Sequence, residues 1–131
     1  MVLGIGIDII EIDRVEKALA RRKGLLRRLF TQQEIAYCNR RGRAAASFAA
    51  RFAAKEAVRK ACSAVMPDQI FPWLEIEIVM EGERPQVKLL GNSAVEAEKR
   101  GIAELLVSLS HSRDYACATV LALGKATDLN I

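Results

Sequence analysis

The chain has 131 residues, enough for one domain with a proper hydrophobic core but too few for two. Hydrophobic residues make up 51% of it and charged residues 27%, which is typical of a soluble globular protein, and no apolar run approaches the ~18 residues of a membrane-spanning helix. The net charge of +4 favours an acidic partner, which could be nucleic acid, an anionic phosphate ligand or an acidic protein.

The first half of the chain predicts one strand followed by three helices. Residues from Val2 to Ile10 form a β-branched, almost uninterrupted apolar run, which indicates a buried strand. Thr31 and Glu34 match the capping-box pattern and predict a helix that starts at Thr31. The three helices are expected over 11–23, 31–41 and 43–64, and the last of them is very rich in alanine.

The second half predicts two pairs of strands with a short helix between them. The strands are expected over 74–80, 86–90, 104–110 and 115–123, and the helix over 92–100, capped by Asn92 or Ser93. The first of these strands alternates apolar and acidic residues, which indicates one exposed face. Residues 125–131 are expected to fray. The chain is therefore expected to form a single α+β domain over 1–131, with helices packed on a mainly antiparallel sheet.

Two carboxylates lie within otherwise apolar sequence. Asp8 stands among isoleucines in the first strand, and Glu56 lies on the alanine-rich helix with Lys60 one turn further along. A buried or half-buried carboxylate is costly unless a cation meets it, so the pair suggests a shared divalent cation that faces a phosphate ligand. Alternatively, Asp8 could simply cap the helix that follows its strand.

The charges of the long helix form two separate stripes. Glu56 and Lys60 share one stripe, whereas Arg51, Lys55 and Arg59 share another. A helix that only needs a solvated face would keep its charges together, so this layout suggests a function. The simpler alternative is an ordinary i,i+4 ion pair between Glu56 and Lys60, worth a few tenths of a kcal/mol.

His111 and the basic first quarter of the chain each allow two interpretations. His111 lies among serines between two strands, where it could be a structural residue or could contact a phosphate. The basic residues of the first quarter could form a solvated face or dock an acidic partner. Because neither aromatics nor a reading motif accompany them, an acidic protein fits better than nucleic acid. They are Arg14, Lys17, Arg21, Arg22, Lys23, Arg27 and Arg28.

The cysteines indicate the cellular compartment. Cys38, Cys62 and Cys117 are odd in number, widely spaced and without a CxxC pair, which predicts reduced thiols and neither a disulfide framework nor a zinc site. The first residues do not show a basic stretch followed by an apolar signal core. We therefore expect a cytoplasmic protein.

Four motifs follow one another in the chain. They are Gly-Ile-Asp-Ile-Ile-Glu-Ile-Asp-Arg over 6–14, Arg-Phe-Ala-Ala-Lys-Glu-Ala-Val-Arg-Lys-Ala over 51–61, a hairpin segment over 73–85, and Ser-Leu-Ser-His-Ser over 108–112 followed by Tyr115 and Ala116. Together they resemble the holo-acyl-carrier-protein synthases, the short bacterial type of 4'-phosphopantetheinyl transferase. The resemblance covers nearly the whole chain, and its second motif is highly specific.

This resemblance implies a transferase of fatty acid biosynthesis. Such an enzyme moves the 4'-phosphopantetheine group of coenzyme A to a serine hydroxyl of acyl carrier protein and releases adenosine 3',5'-bisphosphate. The implied site residues are Asp8 and Glu56 as ligands of Mg²⁺, Glu56 as the base, Lys60 as the cation at the leaving phosphate, and Arg51, Ser110 and His111 as contacts to the cofactor.

The resemblance also implies an assembly and a protein partner. Family members of this length are single lobes that form homotrimers with the cofactor between subunits, and Arg14, Arg21 and Arg28 would dock the acidic carrier protein. Nucleic acid and membrane are not expected partners. Two alternatives are a catalytically silent paralogue that binds coenzyme A or carrier protein, and a small basic nucleic-acid-binding domain.

Overall fold

A computed structural model describes residues 1–126 as an α+β fold, which confirms the predicted fold class. The elements are β1 (Val2–Glu11), α1 (Ile12–Arg21), α2 (Leu25–Leu29), α3 (Gln32–Asn39), α4 (Ala44–Ser63), a 3-10 turn (Trp73–Glu75), β2 (Ile76–Glu81), β3 (Arg84–Leu89), α5 (Gly91–Lys99), β4 (Ile102–His111) and β5 (Tyr115–Gly124). Residues 127–131, within the tail expected to fray, lie outside the described residues. That 1–131 is a single domain stays a prediction.

The strands form two antiparallel sheets instead of one. The larger sheet has the order β1-β5-β4, and the smaller is the hairpin of β2 and β3. In the larger sheet Asp8 lies opposite Ala118, and Ser110 lies opposite Cys117. Antiparallel pairing of consecutive β4 and β5 needs only the short connection at 112–114, which is one residue shorter than the 111–114 expected from the sequence.

Helix α4 is the central element of the core. Its alanines Ala53, Ala57 and Ala61 are fully buried, and the helix packs on the inner face of the larger sheet. Small side chains allow this helix to lie close to the strands, while larger residues around it fill the remaining space. Two apolar clusters flank it, one including Val58 and Val120 and the other including Phe30 and Phe48, whose rings are 5.0 Å apart.

The burial of β1 and β2 differs from the prediction. We expected β1 to be buried on both faces, but Ile5, Ile7 and Ile9 are 64–66% exposed because helices cover only one face of the larger sheet. On β2 the expected exposed face is wrong at Glu77, which is 6% exposed. Its carboxylate accepts a hydrogen bond of 2.6 Å from Thr31 Oγ1, which compensates for its burial.

The helix starts follow the prediction at α3 but not at α5. Thr31 and Glu34 form a complete capping box, so α3 begins as predicted. Helix α5 begins at Gly91 without a side-chain cap, so neither Asn92 nor Ser93 has the predicted role. Instead, the main-chain N–H of Ser93 donates to Glu75 Oε1 at 2.8 Å. Among residues 1–126, no helix combines the length and apolar character needed to cross a membrane.

Candidate active site

Strand β1 and helix α4 bring Asp8 and Glu56 to the same cavity. The cavity has a volume of about 440 Å³, and Leu29, Phe52 and Arg14 also line it. Both carboxylates are partly buried, and they come from positions 48 residues apart that meet because β1 lies directly on α4. The structure therefore places the two predicted metal ligands in one cavity, whose other lining residues are mostly apolar.

Lys60 joins this carboxylate pair through Asp8. Its ammonium group lies 3.1 Å from Asp8 Oδ1 and donates to the main-chain oxygen of Ile7 at 2.9 Å. Among the ion pairs of residues 1–126, none joins Lys60 to Glu56, so the simple helical ion pair is absent there. Asp8 does not cap α1 either, because the N-cap residue is Glu11, whose side chain makes no capping hydrogen bond to the helix. Both simpler interpretations of these residues are therefore wrong.

The donor set at this cavity suits magnesium. The part of the chain that the structure describes contains no cluster of three or more histidine, cysteine, aspartate or glutamate side chains around one point. Asp8 and Glu56 thus offer only two carboxylates, which is the usual number for Mg²⁺, because this ion keeps several waters and takes further oxygens from substrate phosphates. A zinc site would need nitrogen or sulfur ligands that this cavity does not have.

A second cavity contains the predicted cofactor contacts. Arg51, Ser110 and His111 line it together with Arg41 and Arg43, and its volume is about 410 Å³. Three guanidinium groups and a histidine around one cavity favour a ligand that carries several negative charges. The structure therefore brings Arg51, Ser110 and His111 together, as predicted.

Arg51 is the most unusual side chain of this second cavity. It is only 3% exposed, its Nη1 donates to Ser47 Oγ at 3.0 Å, and its guanidinium carbon lies 4.2 Å from the ring centre of Tyr37. Its Nε and Nη2 atoms are buried without a hydrogen-bond partner in the described residues. Buried donors without partners are costly, so these two atoms fit an anionic ligand.

The two cavities are separate within one chain. No residue lines both of them, and they lie on different sides of α4: Arg51 of one charge stripe lines one cavity, and Glu56 of the other stripe lines the second. Asp8, Glu56 and Lys60 are therefore together on one side, and Arg51, Ser110 and His111 on the other. One chain by itself does not bring the predicted metal ligands and the predicted cofactor contacts to one site.

A buried ion pair beside the carboxylates was not predicted. Lys55 Nζ donates to Glu34 Oε1 at 2.7 Å, to the main-chain oxygen of Leu29 at 2.7 Å and to that of Trp73 at 2.9 Å. Both charged side chains are fully buried, and this burial lowers the pKa of Lys55 although Glu34 opposes the shift. The ammonium group of Lys55 therefore links α2, α3 and the 3-10 turn to α4, at the position just before Glu56.

The basic residues predicted to dock a partner lie on α1 and α2, two helices that border the carboxylate cavity. Arg14 lines that cavity, and Arg14 and Arg21 share a shallow depression along α1. Arg28 is exposed on α2, whose Leu25 and Leu29 line the carboxylate cavity. An acidic surface that contacts these arginines would therefore approach Asp8 and Glu56.

Comparisons with known proteins show the family to which the chain is similar. A family model described as the 4'-phosphopantetheinyl transferase superfamily matches residues 4–120. The chain is 49% identical to the holo-[acyl-carrier-protein] synthase of Moorella thermoacetica over 117 residues, which cover 88% of this chain and 90% of that protein. It is 43% identical to the holo-[acyl-carrier-protein] synthase of Streptomyces avermitilis, over 94% of this chain and 98% of that one.

Solved structures show the same fold. The complex of ACPS with CoA from Chronobacterium ammoniagenes superposes with a TM-score of 0.82 at 27% identity, covering 94% of this chain and 98% of that one. A holo-(acyl-carrier-protein) synthase from Bacillus anthracis in complex with CoA (3',5'-ADP) gives a TM-score of 0.72 at 30% identity, covering 95% and 99%. These similarities extend over nearly the whole chain.

Proposed function

The chain belongs to the 4'-phosphopantetheinyl transferase superfamily, and from this membership we infer that it is a holo-[acyl-carrier-protein] synthase. It transfers the 4'-phosphopantetheine group of coenzyme A to a serine hydroxyl of apo-acyl carrier protein and releases adenosine 3',5'-bisphosphate. The observation that carries the residue assignment is the cavity shared by Asp8 and Glu56, with Lys60 in contact with Asp8.

We assign a Mg²⁺ site to Asp8 and Glu56. When bound, this ion would draw charge from the pyrophosphate of coenzyme A and so make its phosphorus easier to attack. The two carboxylates belong to a strand and a long helix. Because these elements are rigid, the proposed metal site needs little reorganisation when the substrate binds.

Glu56 and Lys60 are the proposed catalytic residues. Glu56 is a carboxylate within the cavity and can accept the proton of the serine hydroxyl, directly or through a water. Lys60 is half exposed and flexible, so its ammonium group can move from Asp8 to the leaving phosphate and neutralise or protonate it. These roles place one base and one acid on adjacent turns of α4.

Arg51, Ser110 and His111 are the proposed contacts to the cofactor's phosphates. Since they lie in a different cavity from Asp8 and Glu56, we propose a homotrimer in which each active site takes one cavity from each of two neighbouring subunits. The exposed isoleucines of β1 support this assembly, because an apolar sheet face of this kind is typical of a protein interface. The homotrimer would bring the carboxylate cavity of one subunit next to the arginine-lined cavity of its neighbour.

The acidic carrier protein is proposed to dock on Arg14, Arg21 and Arg28. The three arginines are exposed, and those of α1 lie beside the carboxylate cavity, where the serine must arrive. We also propose that the protein is cytoplasmic, which agrees with its three free cysteines.

The deciding experiment is incubation of apo-acyl carrier protein with coenzyme A, Mg²⁺ and this protein. We expect the intact mass of the carrier protein to increase by one phosphopantetheine group, and adenosine 3',5'-bisphosphate to be released in equal amount. Binding of both substrates without any mass increase would instead indicate the catalytically silent paralogue. The Asp8→Asn variant is the control, and it should fold normally but lose the Mg²⁺-dependent reaction.

A further inference from the structure

Strand β1 lies against the backbone of α4 at two glycines. A Cβ atom on Gly4 would overlap the carbonyl oxygen of Ala61, and one on Gly6 would overlap the carbonyl oxygen of Ala57. The second would also lie 2.8 Å from the main-chain nitrogen of Ala61. Because these neighbours are backbone atoms of Ala57 and Ala61, two fully buried residues of the central helix, they cannot turn aside as a flexible side chain would.

Asp8 is the next residue of β1 that points to α4. Side chains of a strand alternate between its two faces, so Gly4, Gly6 and Asp8 share the inner face. Ile5, Ile7 and Ile9 have the opposite orientation and are exposed. The strand therefore presents two residues without side chains and then a carboxylate to the same helix.

Contacts of Lys60 show that β1 and α4 remain close to each other as far as the carboxylate of Asp8. The ammonium group donates to both the main-chain oxygen of Ile7 and the side chain of Asp8. The side chain of Lys60 can reach both atoms only where β1 and α4 are close to each other. The spacing between the two elements at Gly6 therefore determines how far Asp8 is from the turn of α4 that carries Glu56.

We propose that Gly6 is a positioning residue of the active site: its missing side chain sets the spacing at which the carboxylates of Asp8 and Glu56 can hold one divalent cation. This inference rests on the metal site of the proposed function. Gly4 makes the same kind of contact, but it lies about 13 Å along the strand from Asp8, whereas Gly6 lies about 7 Å away. Gly4 therefore contributes to the packing of β1 and not to the metal site.

The matched pair Gly6→Ala and Gly4→Ala tests this inference. Both variants should unfold at a lower temperature, because both introduce a methyl group against the backbone of α4. Only Gly6→Ala should weaken the binding of Mn²⁺, used here as the probe metal in the presence of coenzyme A and followed by the loss of its free-ion EPR signal. We expect its dissociation constant to rise about ten- to a hundredfold, as for other changes that move a metal ligand.

A rescue experiment separates spacing from general damage. Asp8→Glu adds one methylene, about 1.5 Å of reach, so in the Gly6→Ala background it should recover part of the lost Mn²⁺ affinity. In the otherwise unchanged chain the same substitution should weaken binding. A failure of Asp8→Glu to improve binding in the Gly6→Ala background, or equal Mn²⁺ affinities of Gly4→Ala and Gly6→Ala, would overturn the inference.

Two further variants keep the test decisive. If Asp8→Asn binds Mn²⁺ as tightly as the unchanged protein, the metal site of the proposed function is wrong; if it loses binding, only the role of Gly6 is at issue. Should Gly6→Ala not fold, the spacing is tested with Asp8→Glu alone and together with Glu56→Asp. If the spacing is fixed, the double variant Asp8→Glu with Glu56→Asp should bind Mn²⁺ more tightly than Asp8→Glu alone. An affinity no better than that of Asp8→Glu alone overturns the inference.

Discussion

The ammonium group of Lys60 and the carboxylate of Asp8 form an ion pair of 3.1 Å beside the cavity that also contains Glu56. The side chain of Lys60 is 52% exposed and that of Asp8 only 18%, so solvent reaches the ammonium group more than the carboxylate. The carboxylate that is proposed to bind Mg²⁺ thus already has a positive partner. Lys60 and the proposed metal ion would therefore compete for Asp8, and metal binding there would leave the Lys60 ammonium group available to the phosphate.

Lys60→Met should therefore separate metal binding from turnover. Removal of the competing ammonium should lower the Mn²⁺ dissociation constant by up to about fivefold, the worth of one partly exposed ion pair. Loss of the acid should nevertheless reduce kcat by about 10²- to 10⁴-fold. Lys99→Met is the matched control, because Lys99 pairs with Glu96 on the distant helix α5. A Lys60→Met protein with weaker metal binding and normal kcat would contradict the competition.

Arg51 should be required for coenzyme A and should not be replaceable by lysine. Its unpartnered Nε and Nη2 atoms point to two hydrogen bonds with one phosphate, and lysine cannot reproduce this planar geometry. We expect Arg51→Lys to raise the KM for coenzyme A by at least about tenfold, since a charge-assisted hydrogen bond is worth about 1.5–3 kcal/mol. The KM for carrier protein should change little.

Arg59→Lys is the matched control for that substitution. Arg59 lies two turns further along the same stripe of α4, but its guanidinium group stacks 3.2 Å from the ring centre of Trp73 and its Nε donates to Phe71 O. It lines neither cavity. Its replacement should cost stability and leave the KM for coenzyme A unchanged, and equal effects of the two variants on this KM would argue against the phosphate contact.

Local patterns of the sequence predicted most of the fold. The capping box of Thr31 and Glu34 and the run of alanines in α4 each act within a few residues, so their signals can be read directly. Helix α2 was missed because it has only five residues and no side-chain cap, and it follows Gly24 in the left-handed region with φ 84°. Such a short helix depends on tertiary packing.

Contacts between distant segments could not be predicted in this way. Glu34 has the local signature of a capping residue, which is normally solvated, yet its carboxylate also accepts from Lys55 and from the main-chain N–H of Ile78. Nothing near Glu34 in the sequence indicates these partners. The two charge stripes of α4 did predict that Arg51 and Glu56 face different sides, but not that each side would contain a cavity.

Stability should fall at alkaline pH in part because of Cys62. Burial raises the pKa of this thiol from 9.0 to about 11. Between these two values the folded chain binds more protons at Cys62 than the unfolded chain, so the stabilising contribution is complete below pH 9 and is lost as the pH rises through about 11. The slope is at most about 1.4 kcal/mol per pH unit.

Cys62→Ala should remove this contribution. Urea unfolding at several values between pH 8 and pH 11 should show a shallower alkaline decline for the variant than for the unchanged protein, and Cys117→Ala on the half-exposed position of β5 serves as the control. The burial of Cys62 also predicts that it reacts with iodoacetamide only after unfolding. Identical pH profiles for the variant and the unchanged protein would contradict the shifted pKa.

Charge on α1 should control the carrier protein and not coenzyme A. Arg21→Glu replaces an attractive side chain at the depression beside Arg14 with a repulsive one, so the KM for carrier protein should rise about tenfold or more at low ionic strength. Raising the salt concentration should reduce the difference from the unchanged protein. Lys88→Glu reverses the charge of an exposed residue on β3 and should have little effect on the KM for carrier protein. Equal changes in the KM of both substrates would rule out this docking surface.

The exposed isoleucines of β1 should hold the proposed homotrimer together. Ile7 is 64% exposed in the single chain and lies beside Ile5 and Ile9 on the outer face of the sheet, so a charge there would be buried without a partner in an assembly. We expect light scattering to give three times the 14.5 kDa of one chain for the unchanged protein, and a smaller mass for Ile7→Glu.

Activity of that variant tests the shared active site itself. Ile7→Glu leaves Asp8 and Arg51 in place, yet a separated subunit would have the two cavities apart, so it should retain its fold and lose transfer. Val95→Glu on α5 is the control, because Val95 is also exposed, at 49%, but lies outside the sheet face. A folded, monomeric Ile7→Glu protein with full transfer activity would mean that one chain contains the whole site, and the two cavities would then need another explanation.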